Sequence, residues 1–380
     1  MSTMLPTVNP HSRSLADVLP DCLASLTSGG GSLPAAGHAI VVLVDGLGAA
    51  NLRSAAAHAR FLAPRLGPQT TAVSAFPSTT AAGIATLTTG ALPGQHGLVS
   101  YRARDLAGDR VVNQLSGWDA GMVPETWQRL PTVFERAKAQ GLTTTVIGQE
   151  RYRGSGLTRA VLRGAEYRAG RTMADRLEVA RAVTTAADGP TLSYVYVPEL
   201  DQAAHEYGWE SGRWSDLLEE LDGDIRQWTA RLASTVGVVV TADHGVVDVP
   251  HHQHVLFDQV PSLIRGVRHI GGEPRCLHLY LDADAGPAQR IALAEAWQIE
   301  EGTRAWVATR EQAIEHGWYG EVDPEVLPRI GDVIVAARKR IAYYDARPSD
   351  QSARGMIGQH GSLTDDERRI PFIGLGRYER

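Results

Sequence analysis

Short apolar runs alternate with longer amphipathic stretches along most of this chain. His38–Val44 (HAIVVLV) is apolar on both faces and stops at Asp45-Gly46. A strand buried on both faces of a parallel sheet has that unbroken pattern, and it delivers the next side chain to the carboxyl edge of the sheet. An Ala/Arg/Leu-rich stretch over 49–66 predicts a helix and 70–76 a strand; 81–89, rich in small residues, predicts a helix closed by Gly90. A helix follows over 131–140 with its proline in the first turn, where a missing N–H costs little. Strands are predicted at 143–147, 192–197 and 238–241, and helices at 174–187 and 211–233. That order predicts an α/β fold, a mostly parallel central sheet sandwiched by helices. Ligands of such sheets bind beyond the carboxyl ends of the strands. Asp45, Asp201 and Asp243 all fall at or just after such ends.

The pattern changes near residue 250. A helix near 287–298, a strand near 303–308 and a helix near 310–316 predict an inserted α+β cap over 251–345. Ile370–Leu375 (IPFIGL) returns the chain to the main sheet. The expected organisation is an N-terminal arm and linker over 1–37, ending in the flexible SGGGSLPAAG; a catalytic domain over 38–250 and 346–380; and the cap subdomain between them.

Composition narrows the function. The chain has 380 residues, 43% hydrophobic and 21% charged, with a net charge of −6. That is ordinary for a globular protein, and it lacks the basic excess of a binder of nucleic-acid polymers. Cys22 and Cys276 lie far apart and outside any CxxC pair, which argues against a disulfide framework or a thiolate zinc site. The first twenty residues lack a basic start followed by an apolar run, and no stretch approaches about 18 apolar residues. The expectation is a cytoplasmic protein without a membrane span, acting on a small molecule.

Four segments carry candidate chemistry. Asp201 and His205 are four apart, so on a helical turn they face one way and can share a metal. Alone, such a pair is more often a solvated surface pair. Asp243-His244-Gly245 follows the strand GVVV, and the loop can turn both side chains to one ion. The competing role is a capping Asp beside a bystander His. His360 sits in the Gly-rich loop GQHGS, and Asp45 ends a buried strand, where a carboxylate needs a partner. A helix N-terminus is the structural alternative to a metal for Asp45. Mixed carboxylate and imidazole donors suit zinc, with manganese or iron as alternatives. Six donors suffice for two ions about 4 Å apart, the usual clamp on a phosphoryl group.

The order VDG, P-x-x-T, D-x-x-x-H, A-D-H-G and G-x-H-G resembles the alkaline phosphatase superfamily, in particular its type I phosphodiesterase/nucleotide pyrophosphatase family. There the nucleophilic Thr follows Pro by three and precedes Thr-Gly by nine; Pro77, Thr80 and Thr89-Gly90 keep both spacings. The resemblance implies Thr80, rather than Ser78 or Thr79, as the nucleophile. It implies Asp201, His205 and His360 around one divalent ion, and Asp45, Asp243 and His244 around the other, with Thr80 between them. It gives His96 a structural role in a turn. The implied activity is a phosphodiesterase or nucleotide pyrophosphatase working through a phosphothreonine, on a small phosphorylated substrate such as a nucleotide. The alternatives are a phosphomonoesterase or phosphonate hydrolase of the same superfamily, or a metal-stabilised binding protein without catalysis. A sulfatase is disfavoured, because Thr cannot become formylglycine.

Several further residues invite a functional reading and have blander ones. His251, His252 and His254 form the densest histidine cluster, yet read as a lead into the cap. Arg275 could reach a phosphate, or sit in a turn before a strand. Tyr101, Arg102, Glu150 and Arg151 fall after element ends and are candidate pocket residues; Trp127, Trp209 and Trp214 read as packing.

Overall fold

The computed structural model describes residues 4–8, 12–27 and 31–379. Its largest sheet has seven strands in the order Thr71–Val73, Arg369–Gly376, Val236–Thr241, His38–Val44, Thr191–Val197, Thr143–Gly148 and Glu166–Ala169. His38–Val44 lies at the centre, parallel to both neighbours, with Val42 opposite Val195 and Val240. Thr143–Gly148 and Glu166–Ala169 extend the parallel side, whereas Arg369–Gly376 runs antiparallel to Val236–Thr241. Helices cover both faces, which buries Ala39–Val44 completely and explains why that strand has no polar alternation.

Three stretches differ from their sequence pattern. The predicted helix over 49–66 forms only as Ala49–Ser54, followed by single 3₁₀ turns at Ala56–His58 and Ala63–Arg65. Here the carboxylate of Asp222, on the helix Gly212–Thr229, accepts the N–H groups of Phe61 and Leu62, both at 2.8 Å. That tertiary cap takes the donors a continuing helix would use, and Pro64 removes another. The helix expected from Pro131 begins at Val133, because Thr132 and Glu135 form a capping box that places the proline outside it. The arm before residue 38 carries a helix, Leu15–Thr27, whose Leu15, Val18, Leu19 and Cys22 are fully buried in the main core. Residues 28–30 of the Gly-rich connector lie outside the described residues.

A second, antiparallel sheet orders Val267–Glu273, Cys276–Leu281, Val333–Ala337 and Ala305–Thr309. It has its own core, with Leu279, Trp297, Val333 and Val335 buried. Its first hairpin turns at Pro274-Arg275. His254–Leu256 and Ala342–Tyr344 form a separate two-stranded parallel pair. Among the described residues, no helix is long and apolar enough to cross a membrane.

Candidate active site

The carboxyl edge of the main sheet gathers the residues that the four motifs singled out. Asp45 directly follows His38–Val44, and Asp243 comes two residues after Val236–Thr241. Asp201 and His205 lie on one helix, Glu199–Tyr207, which follows the strand Thr191–Val197. Gly46 lets these elements converge: its φ is +72°, and a Cβ there would lie 3.0 Å from both Asp201 Oδ1 and Val246 Cγ2. No side chain fits that approach without displacement.

Two clusters result. Donor atoms of Asp201, His205 and His360 lie within 4.8 Å of one another, and so do those of Asp45, Asp243 and His244. His205 Nε2 is 3.2 Å from Asp201 Oδ2, and His244 Nε2 is 3.3 Å from Asp45 Oδ1. The clusters abut, for the rings of His244 and His360 stack with centroids 3.7 Å apart. All of these residues are buried except His205, which is partly exposed.

The backbone sets the orientation of each imidazole. Nδ1 of His205 lies 2.8 Å from the Gly358 carbonyl, Nδ1 of His360 2.8 Å from the Ser78 carbonyl, and Nδ1 of His244 3.3 Å from the Gly245 carbonyl. A carbonyl only accepts, so each Nδ1 carries a hydrogen and each Nε2 faces its cluster, where the neutral ring offers its lone pair. Metal-binding histidines use this arrangement. On the carboxylate side, Tyr196 donates its hydroxyl to Asp45 Oδ2, and the Gly46 N–H is 3.3 Å from Asp243 Oδ1.

Buried charge tests whether these donors fit cations. Asp45 is raised well above the usual carboxylate range by burial and by the neighbouring Asp243 and Asp201. Asp243 is raised by burial, with Asp201 adding to it. Burial also opposes ionisation of Asp201, but His205 beside it holds it down; burial lowers His205, and Asp201 raises it to about 9. Left to itself, the site ionises one Asp–His pair and resists ionising the other carboxylates. Among the described residues, Asp45 Oδ1, Asp201 Oδ1 and Asp243 Oδ2 are buried without a hydrogen-bond partner. Orphaned carboxylate oxygens are costly in protein and are natural ligands of a hard or borderline cation. Two divalent ions would exceed the charge of the three carboxylates by one, leaving a site suited to an anion.

Thr80 is the first residue of the helix Thr80–Thr89, and its Oγ1 is 3.2 Å from His244 Nε2. The Gly83 N–H bonds to the Thr79 carbonyl, so the amides of Thr80 to Ala82 begin the helix without intrahelical partners. Such amides form an anion site. Gly83 is what lets the helix reach the sheet, since a Cβ there would lie 2.7 Å from Asp243 Cβ.

Other sequence candidates lie elsewhere. His251 and His252 are exposed, and His254 packs on Tyr344. Arg275 is buried in an ion pair with Glu367, with Nε–Oε1 and Nη2–Oε2 both 2.8 Å, and it also donates to the carbonyls of Lys339 and Ile341. His96 bridges Thr86 Oγ1 and the Leu98 N–H inside its turn. Glu150 pairs with Arg153, and the Arg151 guanidinium lies over Tyr152. Arg102 is exposed, with its Nε 3.5 Å from the Gly272 carbonyl, and Tyr101 is partly buried. Trp214 is fully buried with Trp209 edge-on against it, and Trp127 lies under Arg329. Sequence reasoning missed Tyr196 and Glu273. Tyr196 is one apolar-run residue among many in SYVYV. Glu273 comes from the second sheet, is raised by burial, and places Oε2 3.6 Å from His360 Nδ1.

Comparison with known proteins adds an independent line. The family model described as type I phosphodiesterase / nucleotide pyrophosphatase matches residues 39–363. The human ectonucleotide pyrophosphatase / phosphodiesterase 5 structure is similar with a TM-score of 0.66 at 15% identity, covering 90% of each chain. The murine protein gives 0.65 at 15%, over 89% of this chain and 88% of that one. An inactive murine variant in complex with AMP gives the same values. At this identity the likeness speaks for the fold alone. No curated protein matches the chain in sequence.

Proposed function

Because the chain belongs to the type I phosphodiesterase / nucleotide pyrophosphatase family, and is therefore a hydrolase of phosphoester bonds, we propose that Thr80 is its nucleophile and that the two clusters each hold a divalent ion. Asp201, His205 and His360 would hold one ion; Asp45, Asp243 and His244 the other, with Thr80 as a shared ligand. Bound there, such ions lower the pKa of the coordinated hydroxyl and neutralise charge developing on the phosphoryl oxygens. The observation that carries this reading is the position of Thr80 Oγ1 at a helix N-terminus beside His244, where the clusters meet.

The residues divide the work. Thr80 Oγ1 attacks phosphorus in line; the Oγ–P bond forms as the bond to the leaving oxygen breaks, the hydroxyl proton passes to solvent, and the departing oxygen takes one up from solvent. The open amides at the start of the helix hold a non-bridging oxygen. Water then breaks the Oγ–P bond, returning the Thr80 hydroxyl and releasing the phosphorylated product. The mixed donor set favours zinc, with manganese or iron as alternatives. The inactive murine variant is in complex with AMP.

The test compares bis-p-nitrophenyl phosphate with p-nitrophenyl phosphate, with zinc or manganese supplied, for the wild type and Thr80→Ala. Diester cleavage should dominate and vanish in the variant. Dominant monoester cleavage that needs Thr80 would keep the site and change the substrate class. Unchanged rates in the variant would remove Thr80 from the chemistry.

A further inference from the structure

A cavity of about 420 Å³ opens beside the site, and the reading above leaves it without a role. Two of its walls belong to the catalytic constellation. Ile84 is one helical turn beyond Thr80, on the same face, and Tyr196 donates to Asp45. The cavity therefore runs alongside the proposed site, one residue removed from Thr80 and the metal ligands, which do not line it themselves. Val146 and Ile147 form the buried floor, and Trp118 lies toward the mouth, next to the exposed Leu115 and Ser116. Trp118 is packed flush on Gly156, where a Cβ would lie 2.1 Å from its Cγ.

The lining contains no charged side chain and no Asn or Gln side chain. Most of its hydroxyls are already committed to protein. Tyr167 donates to the Gln149 carbonyl at 2.6 Å, Thr158 to the Tyr152 carbonyl at 2.7 Å, and Ser155 to Thr158 at 3.0 Å. Among the described residues of the lining, the Tyr194 hydroxyl and the Trp118 indole N–H are the buried side-chain donors without partners. A nucleobase carries several edge donors and acceptors, and here most would lose water without gaining a partner. A sugar phosphate or second phosphate would find no cation. An apolar group loses nothing by entering and removes its surface from water.

We propose that this cavity receives the uncharged, apolar alcohol moiety of a phosphodiester, aryl or alkyl, and selects such esters over nucleotides. The inference rests on Thr80 being the nucleophile, and it names the substrate class for that site.

The test uses the full chain with zinc or manganese and four p-nitrophenyl phosphodiesters with a common leaving group: the methyl, phenyl, hexyl and thymidine-5′ esters. The phenyl and hexyl esters should exceed the methyl ester in kcat/KM by at least about tenfold, a factor that burial of two methylene groups already supplies. The thymidine ester should gain no such factor. Ser116→Trp, at the mouth, should lower the hexyl-to-methyl ratio about fivefold or more. Independently of that variant, hexylphosphonate should inhibit the wild type more tightly than methylphosphonate by a similar factor. Thr80-dependent hydrolysis in which the thymidine ester equals or exceeds the hexyl ester would overturn the cavity assignment and leave the nucleophile in place. Equal inhibition by the two phosphonates would overturn it as well. Failure to hydrolyse any ester in a Thr80-dependent way would overturn both readings.

Discussion

At the scale of single residues, the site works by denying its carboxylates any other partner. Asp45 Oδ1, Asp201 Oδ1 and Asp243 Oδ2 are buried without a hydrogen-bond partner, while three backbone carbonyls turn the Nε2 atoms of three imidazoles toward the clusters. Replacing Thr80 by Ala should reduce diester kcat by at least about 10³-fold, since the other groups keep only binding and electrostatic stabilisation. The protein should stay folded, which circular dichroism will show. Asp45→Asn should lower the bound metal from two equivalents toward one, read by elemental analysis after dialysis. Tyr196→Phe removes the donor to Asp45 Oδ2 and should weaken metal binding about tenfold, read by chelator competition. The Asp and His candidates were legible because each lies in a contiguous motif at a strand end. Tyr196 was not, because its role depends on which neighbour strand lies beside it. Glu273 was not, because its neighbour His360 is distant in sequence.

At the scale of elements, close approach limits what each position tolerates. The helix Thr80–Thr89 lies against the Asp243 loop at Gly83, so Gly83→Ala should push Thr80 away from the clusters. A cost of about 1–3 kcal/mol in urea denaturation and a larger proportional loss of kcat are expected. An unchanged kcat would show that the helix has slack. The first hairpin of the second sheet is tied to the main domain by Arg275 and Glu367, both buried. Arg275→Met leaves Glu367 without its charged partner and should cost about 3–5 kcal/mol, while metal content stays unchanged in the folded fraction. If metal is lost instead, Arg275 contributes to the site. The element pattern was readable wherever burial was two-sided, as in His38–Val44. It failed at 49–66, where the Asp222 carboxylate that takes the Phe61 and Leu62 N–H groups arrives from another element.

At the scale of the whole molecule, burial makes stability pH-dependent. His96 and His278 are held neutral, each lowered to about 3, first by burial and then by a nearby guanidinium, Arg329 or Arg310. Their folded values lie below the unfolded one, so in that window the unfolded state binds the proton more readily. The stability is full above the unfolded value near 6.5 and falls as pH drops toward 3. At pH 5 the loss should be about 2 kcal/mol for each histidine. Denaturant midpoints at pH 7 and pH 5 measure it, and His96→Gln should remove its own share, about 2 kcal/mol, from the difference between the two pH values. An unchanged slope would mean that His96 takes up its proton in the folded protein. Metal should act in the same measurement at higher pH, raising the melting temperature by binding only the folded chain.

Sequence alone determined the elements whose information is local. Unbroken apolar runs specify strands buried on both faces; the glycines and acidic residues that end them mark the functional edge. The chemical groups were equally plain, since Asp, His and Thr are visible wherever they occur. Tertiary structure decided which of them meet, because the strand order places Asp45 between the elements that bring Asp201 and Asp243. It also decided the direction of the His205 and His360 rings, the broken helix after residue 54 and the apolar cavity beside Tyr196. These depend on contacts between residues far apart in the chain. No window of sequence contains both partners, so only packing of the complete sheet and its covering helices fixes them.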